Sequence, residues 1–247
     1  MSKFTLEKTF PIQLLIYSPE GKSILIQNMD LTFDMLTRVD STDEDALMDA
    51  QIKQNVSFGK AMGWIEGYLN QSIMFENKIA EFGFDLNNNI VLLPDLTENT
   101  VCAAIHCKLN SIIEEDSYIA RVVIYDRDDQ VKYSYTADAE DDYPLPTLKE
   151  WLGPRSYWDI PWWYREDVTT YDKAASSAEE YTEWMKARLE SGLDEKNMQM
   201  FNDIEEEVRS VFTSVLQELK PEEKVAKAEK APGEVIKIDF ANKPNKN

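Results

Sequence analysis

The chain opens with two β-rich runs, Ile12-Gln13-Leu14-Leu15-Ile16-Tyr17 and Ser23-Ile24-Leu25-Ile26-Gln27, on either side of the stretch Ser18-Pro19-Glu20-Gly21-Lys22. Branched and aromatic residues favour strands, and a short Pro/Gly stretch between two such runs is typical of a β-hairpin. A second hairpin is predicted further along, where Tyr118–Tyr125 and Val131–Tyr135 flank the acidic turn Asp126-Arg127-Asp128-Asp129. Two hairpins of this kind indicate an antiparallel sheet.

Helices are expected between the two hairpins. Asp43-Glu44-Asp45 supplies an acidic first turn for a long helix that runs to about Phe75. After a short strand at Ile90–Leu93, apolar residues at helical spacing predict a second helix over roughly 98–114. We therefore predict an α+β domain over residues 1–143, an antiparallel sheet built from two hairpins with helices packed on one face.

Within the first predicted helix, Gly59, Gly63 and Gly67 recur every four residues and form one stripe of small side chains. A glycine inside a helix costs about 1 kcal/mol relative to alanine. Three in register indicate a compensating benefit, and the close approach of another helix would supply it. The phosphate-loop motif is absent around Gly59-Lys60, so the stripe predicts tight helix packing.

Residues 144–220 form a second region with a different character. Most of the tryptophans lie here, and the segment around them contains Trp158, Trp162, Trp163 and Tyr164 as candidate anchors for a protein partner. The alternative is that these rings fold into the core. A helical hairpin is predicted to follow, packed on this segment, with a heptad-like seam in its second helix. That seam is formed by Phe201, Ile204, Val208, Val211 and Val215. It fits packing on the protein's own sheet or an interface with a partner or a second copy.

Residues 221–247 are expected to form a flexible linker followed by a tethered strand-like segment. The linker is rich in Lys, Glu and Ala, which disfavours a packed core. Beyond it, Ile236, Ile238 and Phe240 alternate with polar residues, as in a strand with one buried face. This segment is a candidate for docking on a partner's sheet edge or for folding back onto its own.

The charge of the chain bears most directly on function. The 46 acidic against 26 basic residues give a formal net charge of −20, and residues 114–218 alone hold 26 acidic against 11 basic residues. Such a surface repels nucleic acid and anionic membranes and attracts basic proteins. Neither nucleic acid nor membrane is therefore expected as a direct partner. The candidate partner-binding carboxylates are Asp126, Asp128, Asp129, Asp138, Glu140, Asp141 and Asp142.

The sequence contains few residues of the types that commonly act in catalysis. His106 is the only histidine, and it shares one predicted helix with Cys102 and Cys107. Structural zinc sites need four ligands, so these three favour packing, and two cysteines five apart on a helix lie too far apart for a disulfide. The acidic turn lacks the Gly and Glu positions of an EF-hand. We expect no cofactor, no metal and no enzymatic activity, with a carboxylate-based metal enzyme as a lesser alternative.

The sequence therefore favours a non-enzymatic acidic binding protein whose partner is a basic protein surface. Its sharper form is a phage-type inhibitor that mimics nucleic acid and blocks a nucleic-acid enzyme, since the composition is compatible with an AT-rich bacteriophage source. The alternative is a structural or assembly component of a viral particle that uses the heptad helix and the C-terminal strand, and homo-oligomers are compatible with it. Two cysteines predicted to be free indicate a reducing compartment, the cytoplasm, or the host cytoplasm if the protein is viral.

Overall fold

The computed structural model shows one mixed sheet with helices, an α+β arrangement. The residues it describes are 2–18, 20, 23–39, 41, 43–76, 90–136, 145–153, 158–172, 177–191 and 193–219.

Six strands form the sheet in the order β4-β3-β1-β2-β5-β6. Their bounds are β1 Ser2–Ser18, β2 Ser23–Val39, β3 Ile73–Glu76, β4 Ile90–Leu93, β5 Ser117–Asp126 and β6 Val131–Thr136. The pairs β1–β2, β2–β5 and β5–β6 are antiparallel, whereas β3 runs parallel to both β1 and β4.

The predicted antiparallel sheet built from two hairpins is wrong, because two parallel strands extend the sheet beyond β1. The long helix predicted to reach Phe75 ends earlier and is followed by β3. Asn70 has an extended backbone (φ −64°, ψ 130°), which ends the helical segment, and the backbone N–H of Gln71 donates to the carbonyl of Gln13 at 2.7 Å. The apolar run that follows pairs with β1 and β4 and is largely buried, as is usual for parallel strands.

The helices are α1 Glu44–Trp64, α2 Glu98–Ile112, α3 Leu148–Trp151, α4 Ala178–Ser191 and α5 Leu193–Leu219. A π-helical turn, Ile65–Leu69, extends α1, and a 3-10 turn covers Trp162–Tyr164. Asp43 caps α1, because its carboxylate accepts a hydrogen bond from the backbone N–H of Ala46 at 2.8 Å. No helix in the described part of the chain has both the length and the apolar character that a membrane span requires.

The main core lies between the sheet and helices α1 and α2. From Met29 to Val39, every second side chain of β2 is buried, so this face of the strand points into the core. Trp64 of α1 and most of α2 pack in the same cluster. Polar residues between the buried positions, such as Asp30 and Asp34, are only half-buried and pair with arginines of β5 and its turn.

Helix α5 packs against α1 through the glycine stripe. A Cβ added at Gly59 would lie 2.7 Å from Cγ2 of Ile204, and one at Gly63 would lie 2.9 Å from its Cδ1. The predicted close helix packing is confirmed at these two glycines, while a Cβ at Gly67 would meet no packing neighbour within 4 Å among the described residues. Phe201 and Val208 of the seam are also buried. The predicted helical hairpin is not shown. Helix α5 contacts α1 more extensively than it contacts α4.

Replacing Gly59 with alanine should lower the free energy of unfolding by up to about 2 kcal/mol. Overpacking against Ile204 costs about 1–3 kcal/mol, which outweighs the roughly 1 kcal/mol that alanine gains in helix propensity. Gly67→Ala is the matched control, because it has the propensity gain without the clash and should stabilise the protein. Urea unfolding followed by circular dichroism measures both, and equal effects of the two substitutions would contradict tight packing at Gly59.

Candidate functional site

The acidic turn between β5 and β6 is held in shape by a buried aspartate. Asp126 is only 3% exposed, and its Oδ1 accepts hydrogen bonds from the backbone N–H groups of Asp128 at 2.8 Å and Asp129 at 3.2 Å. This local arrangement is typical of aspartate in turns. It leaves the carboxylates of Asp128 and Asp129 on the exposed side of the turn.

The turn is also tied to β2. The backbone N–H of Arg127 donates to the carbonyl of Asn28 at 3.0 Å, and the Arg127 guanidinium makes a two-point contact with the carboxylate of Asp30. The hydrogen bond from Arg127 holds the pKa of Asp30 below its ordinary value. Asp128 receives a long hydrogen bond of 3.4 Å from the backbone N–H of Asn28. The acidic turn is therefore fixed against one end of the sheet.

Beside the turn lies a cavity of about 150 Å³, which we call the acidic pocket. It is bounded by the end of the sheet and the first turns of α2. Its apolar lining residues are Leu14, Ile16, Met29, Met74, Leu96, Val101, Cys102 and Ile124. Its polar lining residues are Gln27, Glu98, Asp126, Asp129 and Tyr133.

The polar lining of the acidic pocket is rich in hydrogen-bond acceptors. Glu98, Asp126 and Asp129 are carboxylates, and none of the described residues that line the pocket is a lysine or arginine. The side-chain oxygen Oε1 of Gln27 is buried and accepts no hydrogen bond from the part of the chain that the structure describes. Burial and then the negative charge and hydrogen bond of Glu98 raise the pKa of Tyr133, so its hydroxyl stays protonated. The pocket is therefore electrostatically suited to a positively charged donor.

Apolar walls with acceptors at the rim fit one class of side chain well. Lysine and arginine bury an aliphatic stem while the charged head keeps polar partners. Among the described residues, no group of three or more His, Cys, Asp or Glu side chains is placed to hold a metal ion. The pocket can bind a basic side chain, and burial raises the pKa of its Cys102 thiol to about 12, so the thiol is not activated as a nucleophile.

A second cavity, of about 430 Å³, lies beside His106 and is lined by His106, Cys107, Asn110, Ser111, Tyr118, Ile119, Ala120, Thr136 and Tyr164. His106 Nε2 lies 2.8 Å from the carbonyl oxygen of Ile119 and must donate to it, so the neutral ring carries its lone pair on Nδ1. Burial lowers the pKa of His106 and raises the pKa of Cys107 to about 11. A thiol held protonated in this way is not an activated nucleophile.

The aromatic segment lies largely inside the protein. Trp162 and Trp163 are fully buried, whereas Trp158 and Tyr164 are half-buried. The guanidinium of Arg165 lies 4.4 Å from the ring centre of Trp158, in a cation–π contact. Of the four aromatic residues predicted to anchor a partner, only Trp158 and Tyr164 retain exposed surface.

Sequence reasoning missed the buried Lys108, which fastens this segment to α2. Its Nζ donates to the backbone carbonyls of Trp162 at 3.0 Å, Arg165 at 2.8 Å and Asp167. The helical spacing could have predicted that Lys108 is buried, because it lies three residues after Ile105 and four before Ile112, on the apolar face of the helix. Lys108 is fully buried, so we assign it a structural role.

The structure brings together the first three predicted carboxylates, Asp126, Asp128 and Asp129, in one turn. It adds Glu98, Gln27 and Tyr133, which sequence reasoning did not nominate. The remaining predicted carboxylates lie outside the described residues, as does the C-terminal segment. These are Asp138, Glu140, Asp141, Asp142, Ile236, Ile238 and Phe240.

Comparison with known proteins gives no family. No protein-family model matches the chain, and no curated protein matches it significantly. Among solved structures, the chain is similar to 6-pyruvoyl tetrahydropterin synthase from Caenorhabditis elegans, with 14% sequence identity and a TM-score of 0.33. The match covers 56% of this chain and 98% of that one. A likeness at this level indicates nothing about what this chain binds or catalyses.

Proposed function

We propose that the protein is a non-enzymatic acidic binding protein that engages a basic surface of a partner protein. The observation that carries this proposal is the acidic pocket, where apolar walls lie beside three carboxylates and the unpaired Gln27 oxygen. One lysine or arginine side chain of the partner enters the pocket. The carboxylates of Asp128 and Asp129 receive further basic groups around it.

The net charge of −20 supports the proposal at longer range. Opposite charges steer association and accelerate it, and this effect weakens as salt screens the field. The partner that we propose is the basic surface of a nucleic-acid enzyme, which the carboxylates block by taking the place of phosphates, in the manner of a phage inhibitor. The two buried free thiols are consistent with a reducing compartment such as the cytoplasm.

The proposal is tested by titrating a fluorescein-labelled oligopeptide of alternating lysine and alanine into the full-length protein. The double substitution Glu98→Gln/Asp129→Asn should weaken binding about tenfold, equivalent to about 1.4 kcal/mol, because it removes charge at the pocket with little change in shape. Affinity should also fall as salt is raised.

Two controls make the result specific. Glu66→Gln removes an exposed carboxylate that does not line the pocket, and it should change the affinity less than twofold. A matching oligopeptide of glutamate and alanine should not bind. If Glu66→Gln weakens binding as much as the pocket substitutions do, the pocket has no special role. Affinity that is independent of salt would contradict the electrostatic basis of the proposal.

A further inference from the structure

The hairpin formed by β1 and β2 extends beyond the neighbouring strands on one side. β2 pairs with β1 along its full length, from Ser23 to Val39, but pairs with β5 only from Met29 to Thr37. Before Met29, the side of β2 that faces away from β1 has no strand partner among the residues that the structure describes. We call residues 23–27 on this side the open edge.

The direction of the backbone groups on the open edge follows from Asn28. Its carbonyl accepts from Arg127 of the β5–β6 turn, so the N–H and C=O of Asn28 point away from β1. In an antiparallel strand, residues two apart point their backbone groups in the same direction. Ile24 and Ile26 therefore present their N–H and C=O groups on the open edge, ready to pair with another strand.

The side chains of the open edge are unusually apolar for a surface. Ile24 is 43% exposed, Leu25 is 55% exposed and Ile26 is 58% exposed, and the three are consecutive. Edge strands of proteins are normally protected by charges, proline, bulges or a covering element, because an apolar edge is a template for another strand. A run of three exposed apolar residues on an edge indicates a binding surface.

Charge identifies the kind of strand that fits. The acidic turn lies at the inner end of the open edge, where Asp128 contacts Asn28, and Gln27 at that end lines the acidic pocket. A second copy of this chain would bring another net charge of −20 to the contact. An extended segment that alternates apolar and basic residues would pair with the backbone, cover the isoleucines and place a basic side chain near the carboxylates.

We propose that the open edge of β2 binds an extended, basic and apolar segment of the partner protein by β-strand addition. The choice of a basic segment rests on the proposed function, whereas the strand addition rests on the open edge itself. The backbone pairing supplies affinity, and the acidic turn selects the charge and fixes the direction of the bound segment.

The test uses the full-length protein and a fluorescein-labelled heptapeptide of alternating lysine and valine. Ile26→Pro removes a backbone donor that faces solvent, which edge strands tolerate, and should weaken binding at least tenfold. Val131→Thr alters another exposed apolar strand residue, at 40% exposure on β6, and should leave the affinity unchanged. Hydrogen exchange should slow at the amides of Ile24 and Ile26 when the peptide binds.

Two further versions of the peptide carry N-methyl groups on alternate amides, one version along each edge of the peptide strand. The version that is methylated on the edge facing β2 should not bind, because its amides can no longer pair with the open edge. This result does not depend on how well the proline variant folds. Unchanged affinity of Ile26→Pro and of both methylated peptides would overturn the inference. If the Glu98→Gln/Asp129→Asn variant still binds the peptide more weakly, the proposed function stands without strand addition. Self-association of the free protein that Ile26→Pro abolishes would instead assign the edge to a second copy.

Discussion

Replacing Lys108 with methionine is expected to lower the free energy of unfolding by about 3–5 kcal/mol, the usual cost of removing one partner from a buried charged network. The Lys108 side chain is fully buried, and its Nζ contacts the backbone carbonyls of Trp162, Arg165 and Asp167. Nζ also lies 3.6 Å from a carboxylate oxygen of Asp167. Methionine fills a similar volume but donates no hydrogen bond, so three buried carbonyls lose a donor.

Urea unfolding of both proteins, followed by tryptophan fluorescence, measures this loss. Lys132→Met is the matched control, because Lys132 is exposed on β6 and surface substitutions usually change stability by less than about 0.5 kcal/mol. The fluorescence also reports on the segment itself, since the carbonyl of Trp162 accepts from Lys108 and that of Trp163 accepts from Ser111 of α2. A loss below about 1 kcal/mol for Lys108→Met would mean that the carbonyls find other partners and that the lysine does not fasten the segment.

The pH dependence gives an independent readout of the same group. Burial lowers the pKa of Lys108 to about 7, against the opposing charge of Asp167. The unfolded chain keeps a lysine pKa of about 10.4, so between these values it binds more protons than the folded protein does. Stability due to Lys108 should therefore rise with pH above 7, by at most about 1.4 kcal/mol per pH unit, and the gap to Lys108→Met should widen.

Much of the local structure was predictable from patterns within short windows. The strand runs at either side of Pro19, the second pair of strands and the helix over residues 98–112 follow from alternation, turn residues and helical spacing. The short strand Ile90–Leu93 was also predicted, but its parallel pairing and the parallel strand Ile73–Glu76 were not. Ile73–Glu76 continues an apolar pattern after a helix, and only its pairing with β1 and β4 makes it a strand. Sheet topology depends on contacts between distant segments.

The candidate site was predictable only in part, for a related reason. The acidic turn is visible as Asp126-x-Asp128-Asp129, although the sequence does not reveal that Asp126 is buried as the brace of the turn. Glu98 and Gln27 come from segments far from the turn in the chain, and they join it only after the sheet and α2 assemble. A local charge pattern therefore indicated the acidic turn, and the fold was needed to show the pocket beside it.

Replacing Trp162 with alanine is expected to lower the free energy of unfolding by about 3–5 kcal/mol, the typical cost of truncating a buried tryptophan. Its ring is fully buried, with ring centres 6.4 Å from Trp64 of α1 and 5.5 Å from Trp163. Its Nε1–H donates to the carbonyl of Leu92 in β4 at 2.8 Å. One side chain therefore contacts α1, β4 and its own segment, and alanine leaves both a cavity and an unpaired carbonyl.

Trp162→Phe separates these two contributions. Phenylalanine keeps most of the ring packing but leaves the Leu92 carbonyl without its donor, so a smaller loss of about 1–3 kcal/mol is expected. Trp158→Ala is the control, since that ring is partly exposed and its truncation removes less buried area. Thermal and urea unfolding of the three variants measure the order Trp162→Ala, Trp162→Phe, Trp158→Ala. If Trp158→Ala were the most destabilising variant, the expectation would be wrong. The aromatic segment would then depend more on the contact of Trp158 with Arg165 than on the insertion of Trp162 between α1 and β4.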